Sequence, residues 1–199
     1  MSPKRLTDHQ KEIQRRKLLQ KGSGLLLSQG VRKLSVDEIV KAAGMAKGSF
    51  YLHFASKEEF LFAVIQEIHE KSLQQAERML LADESRDLRE RLRSFIKELF
   101  QQPEYVFLVK EHEYLDELYA SVLHDQVQSL TESECASYDR ILELAGIDTT
   151  KVKAAVVLNC VHTIFTGVYD NELMIEEYIA ETLDVLIEGL VAYIVQDNQ

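Results

Sequence analysis

Tryptophan is absent, and only two prolines, two cysteines and eight glycines punctuate 199 residues. With so few chain breakers, long helices are permitted. No alternating apolar and polar run flanked by a hairpin dipeptide occurs, so strands are not expected. Long apolar runs are missing too. The most apolar stretch, Ala154 to Val161, is too short to cross a bilayer. The first residues are charged, without the apolar segment of a signal peptide, and the expectation is a soluble, cytoplasmic protein without membrane contact. Cys135 and Cys160 lie far apart in apolar periodic stretches and read as small buried hydrophobes, not as a disulfide or redox pair. A chain of this length can bury a core without disulfides or metals.

Catalytic signatures are lacking as well. There is no glycine-rich phosphate loop, no H-E-x-x-H and no G-x-S-x-G, and the many carboxylates fall on hydrophilic helix faces. Nothing argues for an enzyme or a cofactor. Glu111, His112 and Glu113 are consecutive, and adjacent residues on a helix point apart, which is poor chelating geometry; Cys160 and His162 share the defect. No metal is expected.

What is present is a charge asymmetry. Residues 1–60 hold twelve Lys/Arg against six Asp/Glu, a net of +6, whereas residues 61–199 hold 11 against 27, a net of −16. A basic head on an acidic body is the footprint expected when only the head meets phosphate.

Read along the chain, the periodicity predicts helices throughout. The first runs from about Thr7 to Gln29 with Gly30 as its stop, and carries Gly22 and Gly24 inside it. Each interior glycine costs about 1 kcal/mol against alanine, so a close neighbour or other packing must offset it. Ser35 to Glu38 is a capping box opening a short helix with Ile39, Ala42 and Ala43 inward. Gly44 breaks it, and a third helix is expected from Ala46 to about Phe54. Ser56 to Glu59 is a second capping box, opening a helix with Leu61, Val64, Ile65 and Ile68 inward that reaches toward Leu81. Ala82 to Asp87 reads as a loop. Leu88, Leu92, Phe95, Ile96 and Leu99 mark the next apolar face, ended at Gln102-Pro103. A short helix from Glu104 to about Glu113 follows, then a long one from Leu115 to Ala145 with Leu118, Val122, Leu130, Ile141 and Leu142 inward, stopped by Gly146. Asp148 is the expected cap of a helix reaching Tyr169. The last runs from near Met174 to Val195, with Ile175, Tyr178, Ile179, Leu183, Leu186, Ile187, Leu190 and Ile194 in one stripe.

Two short helices joined by a glycine turn match a helix-turn-helix. The segment Gly44-Met45-Ala46-Lys47-Gly48-Ser49-Phe50-Tyr51-Leu52-His53-Phe54-Ala55-Ser56-Lys57-Glu58-Glu59-Phe60 resembles the DNA-binding signature of the TetR family of regulators, a likeness that holds from about Arg15 to Phe60. A recognition helix presents its N-terminal residues to base edges. Here Lys47 reaches a guanine edge or a phosphate, Gly48 lets the backbone come close, and Ser49 donates. Tyr51 and His53 carry polar tips suited to phosphate oxygens. Lys57 and Ser35 stand at helix starts, where amides and the dipole favour an anion. Phe50 and Phe54 read as core pins.

The resemblance implies an all-α chain: a three-helix DNA-binding domain over residues 1–55 and a larger helical domain over residues 56–199 for effector binding and dimerisation. It also implies a homodimer built on the last two helices. Bottom-up, residues 151–169 look apolar nearly all round, which demands burial on every side. Polar or aromatic residues on the inner helices, Phe107, His112, Tyr138, Asn159, His162 and Phe165, are the effector-site candidates, though each alone is more simply a core residue. The expected function is a repressor whose dimer binds a pseudo-palindromic operator on double-stranded DNA and is released by a small apolar or amphipathic effector. A competing reading is a DNA-bound adaptor whose acidic body docks a protein. A closed pocket lined by Phe107, His162 and Phe165 would favour the effector; a solid interior would favour the adaptor.

Overall fold

The computed structural model describes residues 6–82, 86–102, 107, 111–121, 124–169 and 174–195, without the side chains at 76, 112, 124, 125 and 169. Among the described residues every regular element is helical. Two compact units emerge, one of Met1–Ile68 with Glu113–His124, the other of His69–His112 with Asp125–Gln199.

The first unit contains α1 (Asp8–Gln29), α2 (Val36–Ala43), α3 (Lys47–Phe50), the start of α4 (Lys57–Leu81) and α6 (His112–Ser121). Thr7 caps α1 and exchanges hydrogen bonds with Gln10; Ser35 and Glu38 do the same for α2. Such boxes satisfy two amides that a helix start would leave unpaired. Gly44, at φ +64°, ends α2 by a Schellman motif: Met45 N–H reaches Val40 O at 2.8 Å and Gly44 N–H reaches Lys41 O at 3.1 Å. The positive φ there favours glycine. Ile39 and Ala43 are buried as expected, but Val40 takes the third inward place and Ala42 is exposed.

The core of this unit is a phenylalanine cluster. Phe50, Phe54 and Phe60 are buried with ring centroids 5.0–5.5 Å apart. Gly22 of α1 backs onto it, since a Cβ built there would lie 2.1 Å from Phe60 Cζ. Gly22 therefore has the close neighbour its propensity cost demands; Gly24 has nothing within 4 Å.

The second unit holds the rest of α4 with α5 (Leu88–Gln101), α7 (His124–Leu144), α8 (Ala154–Tyr169), a 3-10 turn (Glu176–Tyr178) and α9 (Ile179–Val195). Asp87 caps α5 by accepting from the amides of Arg89 and Glu90. Of the long helix expected over residues 115–145, the described residues give α6 and α7, and Val122 lies outside them. Gly146, at φ +77°, closes α7 with the same Schellman pair, Ile147 to Leu142 and Gly146 to Glu143. Asp148 does not cap α8: its carboxylate accepts from the amide and hydroxyl of Thr150, making a separate turn, and α8 starts at Ala154. Leu92, Ile96, Phe100, Ile141, Leu158, Val161, Ile187 and Val191 form the centre of the core. Cys135 and Cys160 are free and half-buried.

Two expectations about the last helices change. In α8 the residues Val157, Leu158, Val161, Ile164, Phe165 and Val168 share one buried side, and Val156 stands exposed on the other. In the C-terminal stripe Ile187, Leu190 and Ile194 are buried, but Ile175, Tyr178 and Leu186 are exposed. A periodic stripe tells which residues share a side, not what covers it.

Candidate nucleic-acid interface

The exposed rim of the first unit is built by α2, the glycine turn and α3. Ala46 is the N-cap of α3 and offers no side-chain cap. The helix is shorter than its sequence promised: four residues, then a turn through Tyr51, Leu52 and His53. The carbonyl of Phe50 accepts from both His53 and Phe54 amides, at 2.9 and 3.0 Å. That tightening follows from pinning Phe50 and Phe54 in one core while Gly48 contributes little helical propensity.

With Phe50 held inward, Lys47, Gly48 and Tyr51 are exposed and Ser49 is half-buried. Tyr51 is 53% exposed, with its ring edge-on to Phe50. Gly48 has nothing within 4 Å of a built Cβ, so no internal contact requires a glycine there. The Lys47 ammonium pairs with Asp37, 3.0 and 3.1 Å from its two oxygens. That hydrogen bond, then the carboxylate's charge, raises its pKa above the ordinary value.

His53, Lys57 and Ser35 are each engaged inside the unit. His53 Nε2 lies 3.2 Å from Gln14 Oε1. Burial, then the charge of Arg15, lowers the imidazole below its ordinary 6.5, so it is neutral at pH 7. Arg15 itself stacks over the Phe54 ring, 5.3 Å from its centroid. Lys57 donates to Val31 O at 3.2 Å. Ser56 accepts from the Glu59 amide, but Glu59 reaches back to the Ala55 amide instead of closing the box on Ser56. Ser35 Oγ donates to Glu38 and accepts from its amide. The three sequence-predicted residues Lys47, Gly48 and Tyr51 thus share one exposed rim, to which Ser49 adds a half-buried hydroxyl. Asp37, Gln14 and Arg15 were not foreseen. Asp37 meets Lys47 across ten residues, a spacing no helical period marks.

In the second unit the effector-site candidates fall in different places. Tyr138 and Phe165 belong to the buried core, where Phe165 packs on Phe100 at 5.3 Å. Phe107 is buried. Asn159 is exposed on α8, and the His112 side chain lies outside the described residues. His162 is half-exposed, its Nε2 4.0 Å from Glu134 Oε2. Glu134 is buried and also pairs with His69 Nδ1, so three helices bring two imidazoles to one carboxylate. Burial lowers His69 to about 4, which leaves its ring neutral and donating to Glu134. His69 and Glu134 had no sequence signal, being 65 residues apart. Between α8 and α9 runs an open groove of about 410 Å³, lined by Val156, Asn159, Cys160, Leu186, Gly189 and Tyr193 among others. Among the described residues no cluster could hold a metal ion, and no helix is long and apolar enough to cross a membrane.

Comparison with known proteins agrees with this geometry. Residues 18–64 match the family model for bacterial regulatory proteins of the tetR family. An uncharacterized HTH-type transcriptional regulator of Bacillus subtilis, YvdT, is 37% identical over 68 residues, 34% of this chain and 35% of that protein. The HTH-type transcriptional repressor DhaR of a Mycobacterium species is 45% identical over 53 residues, 27% of each chain. The chain therefore spans about a third or less of these curated relatives. A TetR-family transcriptional regulator from Pectobacterium atrosepticum shares the fold over 94% of this chain and 93% of its own, at a TM-score of 0.62 and 18% identity. Residues 18–64 thus carry the head of the tetR family of bacterial regulatory proteins, and the chain as a whole shares the fold of a solved regulator of that family.

Proposed function

We propose that the chain is a repressor that binds a pseudo-palindromic operator as a homodimer and is released by a small apolar or amphipathic effector. In this reading residues 1–55 are the DNA-binding part and residues 56–199 bind the effector and dimerise. Lys47, Gly48, Ser49 and Tyr51 meet the duplex directly, flanked by Ser35, His53 and Lys57.

The observation that carries the reading is the rim of α3. Gly48 is exposed with empty space around it, beside an exposed tyrosine and an exposed lysine. No internal contact explains a glycine in that helix, whereas a duplex backbone approaching within van der Waals distance would. Dimerisation through α8 and α9 is supported by their exposed apolar residues: Val156 on α8 and Leu186 on α9 line the open groove, and Val185 on α9 is exposed as well. Exposed apolar patches of this kind mark association surfaces. Two identical heads held at a fixed spacing read half-sites about one helical turn apart, roughly 34–36 Å. Repression is the mode named for DhaR. Effector release is a population shift between two separations of the heads.

The test is a fluorescence-anisotropy titration on a duplex selected in vitro by the wild-type chain. Tyr51→Ala removes a side chain that is half in solvent, so the fold is kept and duplex affinity falls. Unchanged affinity would overturn the DNA reading. A broad small-molecule library that never alters operator affinity would overturn the effector part and leave the adaptor reading standing.

A further inference from the structure

We propose that Asp37 is a specificity-determining residue of the DNA-binding head: its carboxylate holds the Lys47 ammonium so that Lys47 serves a base edge and not a phosphate. This rests on the reading that Lys47 meets the duplex.

Lys47 is an exposed cation at the start of α3, where a bare ammonium would bind any phosphate within reach. Instead it lies 3.0 and 3.1 Å from the two oxygens of Asp37. The pair bridges α2 and α3, the two helices of the helix-turn-helix, and both side chains are more than half exposed. An ammonium has three N–H donors and no acceptor. Up to two of them point at Asp37, which leaves at least one for an outside acceptor.

The choice of that acceptor follows from charge. A phosphate drawn to Lys47 would also approach the Asp37 carboxylate, and like charges oppose it. The guanine O6 and N7 atoms are neutral acceptors and meet no such penalty. Cytosine N4, paired across from O6, is a donor that a carboxylate accepts. Donor and acceptor together therefore suit a base-pair edge better than a strand of phosphates. Lys47 consequently adds little to sequence-independent binding, where affinity tracks the number of phosphates neutralised.

The experiment is a double-mutant cycle in the full chain with Asp37→Asn, Lys47→Gln and both together. Affinities for the in vitro selected duplex and for a random duplex are measured across a salt series, with thermal melts to check folding. Asp37→Asn is expected to tighten random-duplex binding about 1.5- to 5-fold, as expected for a released exposed pair. Its salt dependence should steepen by about one, as one more phosphate is neutralised. The ratio of selected to random affinity should fall. Asp37→Glu, which keeps the charge, should remain near wild type in all three readouts. In the Lys47→Gln background the effect of Asp37→Asn should vanish. If it persists there, the carboxylate acts by general repulsion and the proposal is overturned. An unchanged ratio and slope in Asp37→Asn overturns it as well. If Lys47→Gln alone alters neither affinity, the placement of Lys47 at the duplex is what fails, a result separable from the other two.

Discussion

Adding a methyl group at Gly22 tests whether the glycine is there for space. The new Cβ would lie 2.1 Å from Phe60 Cζ and 2.8 Å from Cε1, deep inside van der Waals contact. Phe60 cannot step aside cheaply, because it is fully buried between Phe50 and Phe54 at 5.4 and 5.0 Å. Overpacking a filled core costs about 1–3 kcal/mol. Alanine returns about 1 kcal/mol through helix propensity. The overlap places Gly22→Ala at the upper end, so the net loss is about 1–2 kcal/mol. Gly24 supplies the internal control. It lies in the same helix, exposed, with nothing within 4 Å. Gly24→Ala should therefore gain about 0.5–1 kcal/mol. Chemical denaturation followed by circular dichroism reads both variants, and hydrogen exchange of α1 amides localises the effect. The reasoning is refuted if Gly22→Ala proves as stable as Gly24→Ala, since propensity alone would then govern both positions.

Val185, 66% exposed on α9, is the position at which a charge should most damage the proposed interface. Val185→Asp is expected to leave helical content unchanged and to shift the chain toward monomer in light scattering; a dimer of undiminished mass places the interface elsewhere. His69 gives a pH dependence. Its native pKa, about 4, lies below the ordinary 6.5, so the unfolded state binds the extra proton first. The stabilisation is thus complete above pH 6.5 and is lost as pH falls toward 4, by at most about 3 kcal/mol. His69→Gln should flatten the melting curve's pH dependence in that window, and an unaltered dependence would show that other groups carry it.

How much of this was legible follows from which interactions are local. The box of Ser35 and Glu38 and the stops at Gly44 and Gly146 could be read directly, because caps and left-handed glycines act over three to five residues. The motif from Gly44 to Phe60 placed the head for the same reason. Asp148 misled, since an aspartate serves a turn as readily as a helix start, and Thr150 supplied the nearer donors. α3 ended early because Phe50 and Phe54 answer to the core and not to the helix. Ile175, Tyr178 and Leu186 share the periodicity of the buried residues in their stripe, yet none of the described residues of the unit covers them enough to bury them. Contacts distant in sequence left no mark at all: Asp37 with Lys47, Gln14 with His53, and Glu134 with two histidines.

The internal partners of the head also rank its seven candidate DNA residues. The Ser35 hydroxyl proton goes to Glu38, and so does its amide, at 2.8 and 2.9 Å. Ser35 thus has no donor left for a phosphate, and its part is to fix where α2 begins. Lys57 spends one of its donors on Val31 O and keeps two. Holding a lysine in one conformation costs up to about 1.5–2 kcal/mol of side-chain entropy. Where an internal bond has already imposed that cost, less of it falls on binding. The same bond also keeps the ammonium near the Val31 carbonyl, so in the proposed reading Lys57, at the start of α4, would meet a phosphate from a fixed position. His53, neutral and tied to Gln14, offers geometry without charge. In the proposed reading Tyr51 and Lys47, exposed on one rim, meet what the duplex presents, Tyr51 without an internal tether among the described residues and Lys47 held by the Asp37 carboxylate that sets how far its contact depends on sequence.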